Sequence, residues 1–171
     1  VYLDADNTVA LWEKLLEYYD CDTTHRKQAI FSSIFILQNR MQTACEKIQT
    51  EISMKQWLLL AMREICPEPR TLTNIGTIMG CSRQNVKKLT LTLEKKGFVR
   101  LIPRENNSVR VEATDEAQSY IEKMGERHTE ALNLLFADFT EEEIRQLFSL
   151  YCKLYKGAER LETYAKELDK I

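Results

Sequence analysis

The chain has 171 residues, a formal net charge of −2, 44% apolar residues and 29% charged residues. This composition is typical of a globular protein and excludes a disordered or fibrous one, and the length fits one domain with or without helical extensions. The longest stretches without a charged or imidazole side chain are 12 residues, whereas a membrane-spanning helix needs about 20 mostly apolar residues. We therefore expect no membrane partner.

Glycine and proline are scarce, with 5 and 3 residues. Because all-β folds need many turn residues, this scarcity favours a mainly α protein. The five cysteines are odd in number, include no Cys-x-x-Cys pair and follow no visible signal peptide. We interpret them as reduced thiols in a cytoplasmic protein.

Charge is distributed unevenly along the chain. Between Ser82 and Arg110 there are eight basic and two acidic residues, so this segment carries +6 and the other residues together carry −8. A basic segment in an acidic chain is typical of a surface that binds a polyanion. Solvated helix faces also collect lysine, so charge alone does not identify the partner.

Helices are predicted throughout the N-terminal part. The first runs from Asn7 to about Tyr19, and the second runs from about Thr24 to Gln49 with apolar residues every three or four positions. A third helix, Met54–Ile65, begins at a capping box formed by Ser53 and Gln56. The apolar face of the first helix is predicted to join a dimer interface through Trp12, Leu15 and Tyr19.

Two long helices are predicted at the C-terminal end. Thr114 caps the first, which extends to about Phe136, and a capping box over Thr140–Glu143 opens the second. Apolar residues along the second helix keep an a/d spacing, which is typical of a helix that packs along another helix. The partner is either the preceding helix or a second subunit, and we favour a dimer. This seam consists of Ile144, Leu147, Tyr151, Leu154, Ala158, Leu161, Ala165 and Leu168.

The middle of the chain has the layout of a helix-turn-helix. Thr73 is predicted to cap a short helix that ends at Gly80, and Ser82 to cap the next helix, which runs to about Lys96. Gly76 is small enough for the second helix to cross closely. The inward positions of the second helix are Val86, Leu89 and Leu93. Its polar and basic side chains can read bases in a major groove, and they are Arg83, Gln84, Asn85, Lys87 and Lys88.

A β-hairpin is predicted directly after this helix. Phe98–Ile102 is rich in β-forming residues, Pro103–Ser108 holds turn residues, and Val109–Ala113 alternates apolar and polar side chains. Such a hairpin is a wing, whose tip lies over the minor groove or the DNA backbone. The DNA contacts predicted outside the second helix are Thr73, Ser82, Arg104, Asn106, Asn107 and Arg110.

The unit Leu72–Thr114 resembles the winged helix-turn-helix of the MarR (multiple antibiotic resistance regulator) family, with a good match over Leu72–Thr73, Gly80–Leu89 and Leu93–Val99. The order of the flanking long helices agrees with that family. The resemblance implies a homodimer that binds an imperfect palindrome in double-stranded DNA and represses transcription in response to a small aromatic effector. The sequence departs from the family in the wing, where Arg104–Ser108 replaces an Asp-x-Arg tip, and at Leu91, where a polar residue is usual.

These observations predict a mainly α fold. It comprises a winged helix-turn-helix DNA-binding lobe with a two-stranded β wing, and a helical dimerisation region from both termini. We assign residues 1–50 and 115–171 to dimerisation and residues 51–114 to the DNA-binding lobe.

The same sequence also bears on an enzymatic, a metal-binding and a redox function. We expect no enzyme, because His25 and His128 are the only histidines and no catalytic motif is present. We expect no metal or other cofactor, because Cys21, Asp22 and His25 lack a wider set of ligands. Cys21 is also a candidate redox thiol, since one branch of the MarR family senses hydroperoxides through a cysteine in this region, although Asp20 and Asp22 disfavour a thiolate.

Two further alternatives concern partners. The basic helix and hairpin could belong to a winged-helix protein-interaction module that binds an acidic protein, and salt-dependent binding to duplex DNA would separate the two cases. The cavity for an aromatic effector could be lined by aromatic residues that equally well belong to the core, namely Trp12, Phe31, Phe35 and Trp57.

Overall fold

The computed structural model describes residues 13–14 and 16–168. Its named elements, in chain order, are α1 (Thr23–Ile48), α2 (Met54–Ile65), α3 (Leu72–Met79), α4 (Arg83–Lys95), β1 (Val99–Pro103), β2 (Val109–Ala113), α5 (Asp115–Leu135) and α6 (Glu141–Leu168). Residues 16–19 are also helical. The predicted mainly α fold with one two-stranded antiparallel sheet is confirmed.

The chain divides into two compact units, Val1–Glu122 and Lys123–Ile171. The first contains α1 to α4, the hairpin and the start of α5, and it holds most of the buried core. Each fully buried aliphatic side chain contributes about 1.5–3 kcal/mol through removal of apolar surface from water. Five aliphatic side chains with no exposed surface come from α2, α3, α4 and β2 of this unit: Leu59, Ile75, Val86, Leu93 and Val111.

Local signals that were visible in the sequence set most helix ends. The Ser53 hydroxyl accepts from the Gln56 N–H while the Gln56 side chain accepts from the Ser53 N–H, so the predicted capping box opens α2. Thr114 likewise accepts from the Ala117 N–H at the start of α5. Gly80 and Gly97 adopt φ of 63° and 81°, the left-handed region that glycine occupies without steric cost.

Two predicted boundaries are wrong. The cap of α3 is Thr71 rather than Thr73, because the Thr71 side chain accepts from the Asn74 N–H and the helix already begins at Leu72. The first strand is shifted by one residue, to Val99–Pro103. Phe98 instead belongs to the core, where its ring packs edge-on against Tyr120 with centroids 5.3 Å apart.

A third extended segment, which the sequence did not indicate, pairs with the hairpin. β1 pairs antiparallel with β2 in a register that places Leu101 opposite Val111. On the other side of β2, the Val111 N–H donates to the Arg70 carbonyl at 3.1 Å, and Thr71 forms a β-bridge with Arg110. The residues before α3 therefore tie strand β2 of the wing to the start of the helix-turn-helix.

Candidate nucleic-acid interface

The turn between α3 and α4 is built by three small residues. Gly80 supplies the left-handed conformation that ends α3, and the Ser82 hydroxyl accepts from the Asn85 N–H to begin α4. Gly76 faces the turn, where a Cβ would lie 2.8 Å from the Cys81 carbonyl oxygen and 3.3 Å from Val86 Cγ2. The predicted close crossing at Gly76 is confirmed, and it fixes how α4 projects from the lobe.

Helix α4 separates its inner and outer faces. Val86 and Leu93 are fully buried as predicted, whereas Leu89 is only half-buried. Thr90 was not identified from the sequence, but it is fully buried and its hydroxyl donates to the carbonyls of Val86 and Lys87 at 3.0 Å. A hydroxyl satisfied within its own helix can occupy an apolar core at little cost.

The polar side chains predicted to bind DNA all lie on the exposed surface of α4: Arg83, Gln84, Asn85, Lys87 and Lys88. At 100° per residue, Gln84 and Lys88 lie near the centre of the outer face, opposite Val86 and Leu93, and Lys87 lies to one side of them. Leu91 falls on the same face and is 41% exposed. Nothing in the structure explains an apolar residue there.

The wing ends in a turn whose backbone conformation restricts which residues can occupy it. Asn106 and Asn107 adopt φ of 57° and 55°, the left-handed region in which asparagine is favoured over longer side chains. The turn is closed by hydrogen bonds from the Arg104 N–H to the Ser108 carbonyl at 2.9 Å and from the Ser108 N–H to the Glu105 carbonyl at 3.3 Å. The left-handed backbone therefore explains why asparagines stand at this tip in place of an arginine.

Helix α4 touches this turn. Arg83 Nη2 donates to the Asn107 carbonyl oxygen at 3.2 Å, although the two residues are 24 positions apart in the chain. Arg83 lies at one edge of the exposed face of α4, and Asn85 lies at the opposite edge. The sequence identified Arg83 as a member of that face, but it contained no indication of the contact with the wing.

The two predicted wing arginines have different surroundings. Arg104 is exposed beside the tip, whereas Arg110 is half-buried and paired with Glu112 on the same strand. Arg110 also lines a cavity of about 260 Å³ that is bounded by Arg63, Glu68, Arg70 and residues 111–113. Of the other predicted contacts, Thr73 is exposed on α3, and Ser82 is engaged as the cap of α4.

The cluster near Cys21 is brought together by the start of α1. Metal-ligating atoms of Cys21, Asp22 and His25 lie within 4.8 Å of one another. Asp22 Oδ1 accepts from the His25 N–H at 2.9 Å, and Oδ2 lies 2.8 Å from His25 Nδ1. These hydrogen bonds hold the pKa of Asp22 below its usual value. Both carboxylate oxygens are therefore occupied by capping the helix and holding the imidazole.

The residues predicted for a dimer interface leave a large apolar surface uncovered. No residue of α1 or of α6 is buried. Leu147 of α6 and Tyr19 of the N-terminal helix are half-buried. The other seam residues named as interface are exposed by 40% or more: Ile144, Tyr151, Leu154 and Leu161. Trp12 and Leu15 lie outside the described residues.

A helix-turn-helix followed directly by a β-hairpin defines a winged helix-turn-helix protein. No protein-family model and no curated protein matches the sequence. Solved structures do match: a MarR/EmrR family transcriptional regulator from Acinetobacter sp. ADP1 has a TM-score of 0.69 at 19% identity, covering 78% of this chain and 97% of that one. The MepR–DNA complex of S. aureus has a TM-score of 0.65 at 17% identity, covering 75% and 97%.

A third similar structure is the PcaV transcriptional regulator from Streptomyces coelicolor in complex with its natural ligand. It has a TM-score of 0.58 at 17% identity, with 81% of this chain and 94% of that one covered. This chain therefore has the winged-helix fold of MarR-family transcriptional regulators. In the part of the chain that is described, no helix is long and apolar enough to cross a membrane.

Proposed function

We propose that this protein is a transcriptional regulator that binds double-stranded DNA sequence-specifically. The observation that carries the proposal is the outer face of α4, on which Gln84, Lys87 and Lys88 are exposed. Glutamine can bond adenine and lysine can bond guanine through their major-groove edges. A major groove about 12 Å wide admits one such helix, and the similar MepR structure was solved with DNA.

Electrostatics supports the same function. The segment from Ser82 to Arg110 carries +6 while the rest of the chain carries −8. Attraction to phosphates is therefore concentrated on α4 and the wing, and the acidic remainder disfavours binding in other orientations. A protein-interaction module for an acidic partner would share this charge, but it would not require an amide side chain, that of Gln84, at the centre of the helix face.

The active species is proposed to be a homodimer. Long helices with exposed leucine, phenylalanine and tyrosine along their length need a covering partner, because such surface in water is unfavourable. A second copy supplies the same seam in a two-fold arrangement. Two recognition helices then enter successive major grooves about 10 base pairs apart, and the operator is an imperfect palindrome.

The most specific part of the proposal is that a ligand controls repression. On α1, Phe31 and Phe35 are 56% and 52% exposed, and their rings meet edge-on with centroids 5.2 Å apart. An aromatic effector would be recognised by such rings once a second subunit covers them. The two cavities described among residues 63–116 are lined instead by charged and small side chains.

Selection of bound sequences from random duplex DNA tests the function directly. We expect enrichment of one imperfect palindrome, with affinity that falls as salt concentration rises. If no sequence were enriched and the protein bound an acidic protein, the result would contradict the proposal and favour the interaction module. Release of the selected duplex by an aromatic compound would test the effector.

A further inference from the structure

The tip of the wing has no net charge. Residues 104–108 contain one arginine and one glutamate, and the two residues at the apex are neutral asparagines. The apex needs left-handed backbone at both asparagines, which a long basic side chain disfavours. Arg104 beside the turn is the wing's own cation, so a second positive charge at the apex has to come from elsewhere in the lobe.

Arg83 is placed to supply it. It is the first residue of α4, directly after the cap Ser82, so its backbone is held by the turn. Its guanidinium reaches the Asn107 carbonyl at 3.2 Å. A guanidinium has five N–H donors in a planar fork, and this bond uses one of them. The remaining donors stay at the wing tip, where they can bind a phosphate.

We propose that Arg83 holds the wing tip against the recognition helix and binds the DNA backbone beside the wing, instead of reading a base in the major groove. This inference rests on the proposed DNA-binding function. It separates Arg83 from Gln84 and Lys88, which lie at the centre of the exposed face.

The geometry favours this role over base reading for a simple reason. A bidentate contact with guanine needs two guanidinium donors in the plane of the base edge. Arg83 lies at the edge of the α4 face, and its head group is directed to the hairpin. Reaching a base would require breaking the bond to Asn107, whereas reaching a neighbouring phosphate would not.

The tether is tested on the full chain without DNA. Arg83→Met keeps the length of the side chain and removes both its charge and its donors. We expect amide hydrogen exchange at Arg104 and Ser108, whose N–H groups close the wing turn, to accelerate about threefold. Gln84→Ala is the matched control, and exchange at these two amides should not change. Unchanged exchange in Arg83→Met would overturn the tether.

The backbone contact is tested on the duplex obtained by selection and on a scrambled duplex, each across a salt series. Arg83→Met should weaken both by a similar factor, about tenfold per bound subunit, and lower the salt slope by about 0.9 per subunit. Arg83→Lys keeps the charge and should keep the slope. Gln84→Ala should instead weaken the selected duplex much more than the scrambled one.

Backbone binding and base reading predict opposite results. If Arg83→Met changed the preferred base at one operator position and left the scrambled duplex unaffected, Arg83 would be a base reader and the inference would be overturned. A wild-type chain that bound no duplex would refute the backbone contact along with the proposed function. The exchange experiment would still decide whether Arg83 tethers the wing.

Discussion

Gly76 and Val86 face each other across the turn of the helix-turn-helix, with no room for a side chain at position 76. A Cβ there would stand 3.3 Å from Val86 Cγ2 and only 2.8 Å from the Cys81 carbonyl oxygen. The second of these partners is backbone, which cannot rotate away. The angle at which α4 leaves the lobe therefore depends on having glycine, which has no side chain, at position 76.

Gly76→Ala is expected to destabilise the protein by about 1–3 kcal/mol, because the added methyl group overpacks the crossing of α3 and α4. The measurement is the free energy of unfolding from urea titration. Gly125→Ala is the matched control, since nothing lies within 4 Å of a Cβ at Gly125 in α5, and it should stabilise by about 0.5–1 kcal/mol. Equal stability of Gly76→Ala and wild type would contradict the close crossing.

The wing turn makes a second prediction about backbone strain. Asn106→Val places a β-branched residue at φ of 57°, and it should cost roughly 1–2 kcal/mol of unfolding free energy. Asn106→Gly should be tolerated, because glycine adopts this conformation freely. Both are measured by urea titration in the absence of DNA. A valine variant as stable as the glycine variant would show that position 106 is not left-handed in solution.

Substitutions on the exposed face of α4 and on the wing are expected to affect DNA binding differently. Gln84→Ala should cost about 1–3 kcal/mol on the selected site and relax one operator position. Arg104→Ala should weaken all sequences alike and lower the salt slope by about 0.9 for each phosphate that is no longer neutralised. Binding of each variant to operator and scrambled duplex distinguishes them. Loss of specificity in Arg104→Ala with only general weakening in Gln84→Ala would reverse these roles.

The apolar seam of α6 predicts the oligomeric state. Leu154→Glu with Leu161→Glu should give monomers that no longer bind operator tightly, because charges would be buried at the interface. Lys153→Glu with Lys156→Glu introduces the same residues off the seam and should remain dimeric. Sedimentation velocity at micromolar concentration measures both. A wild-type chain that sediments as a monomer would refute the homodimer.

The capping box of α6 gives a prediction about pH. The Thr140 N–H and hydroxyl both lie 2.8 Å from Glu143 Oε2, and they hold the pKa of Glu143 below its usual value. A lowered folded-state pKa stabilises the protein above the ordinary glutamate pKa of about 4.3, and this contribution is lost as pH falls through the lower value. NMR titration of the Glu143 carboxyl group should show this low pKa.

The control for that titration is Thr140→Ala. It removes the hydroxyl, so the pKa of Glu143 should rise toward the ordinary value. Glu143→Gln keeps a capping side chain without a titrating group, and the start of α6 should then lose this source of acid sensitivity. An unchanged Glu143 pKa in Thr140→Ala would show that the hydroxyl does not stabilise the carboxylate.

Several features of the fold were predictable because they depend on neighbouring residues. The capping boxes at Ser53 and Thr140 and the left-handed turns at Gly80 and Gly97 are local hydrogen-bonding and steric effects, so the sequence contains their causes. Inward positions such as Val86 follow from a 3.6-residue period. The failure at Thr73 is instructive, since Thr71 has the same side chain and only the observed hydrogen bond to Asn74 distinguishes them.

The sequence by itself determined the order of helices, turn and wing, and which side chains α4 exposes, because periodicity and capping act over a few residues. Only the tertiary structure decided that Arg83 reaches Asn107, that Arg70 and Thr71 extend the edge of the hairpin, and that Arg110 is half-buried beside Glu112. The first two of these features join segments that are distant in the chain, and the third depends on how the hairpin packs. Their geometry is set by how the elements pack, which no local pattern specifies.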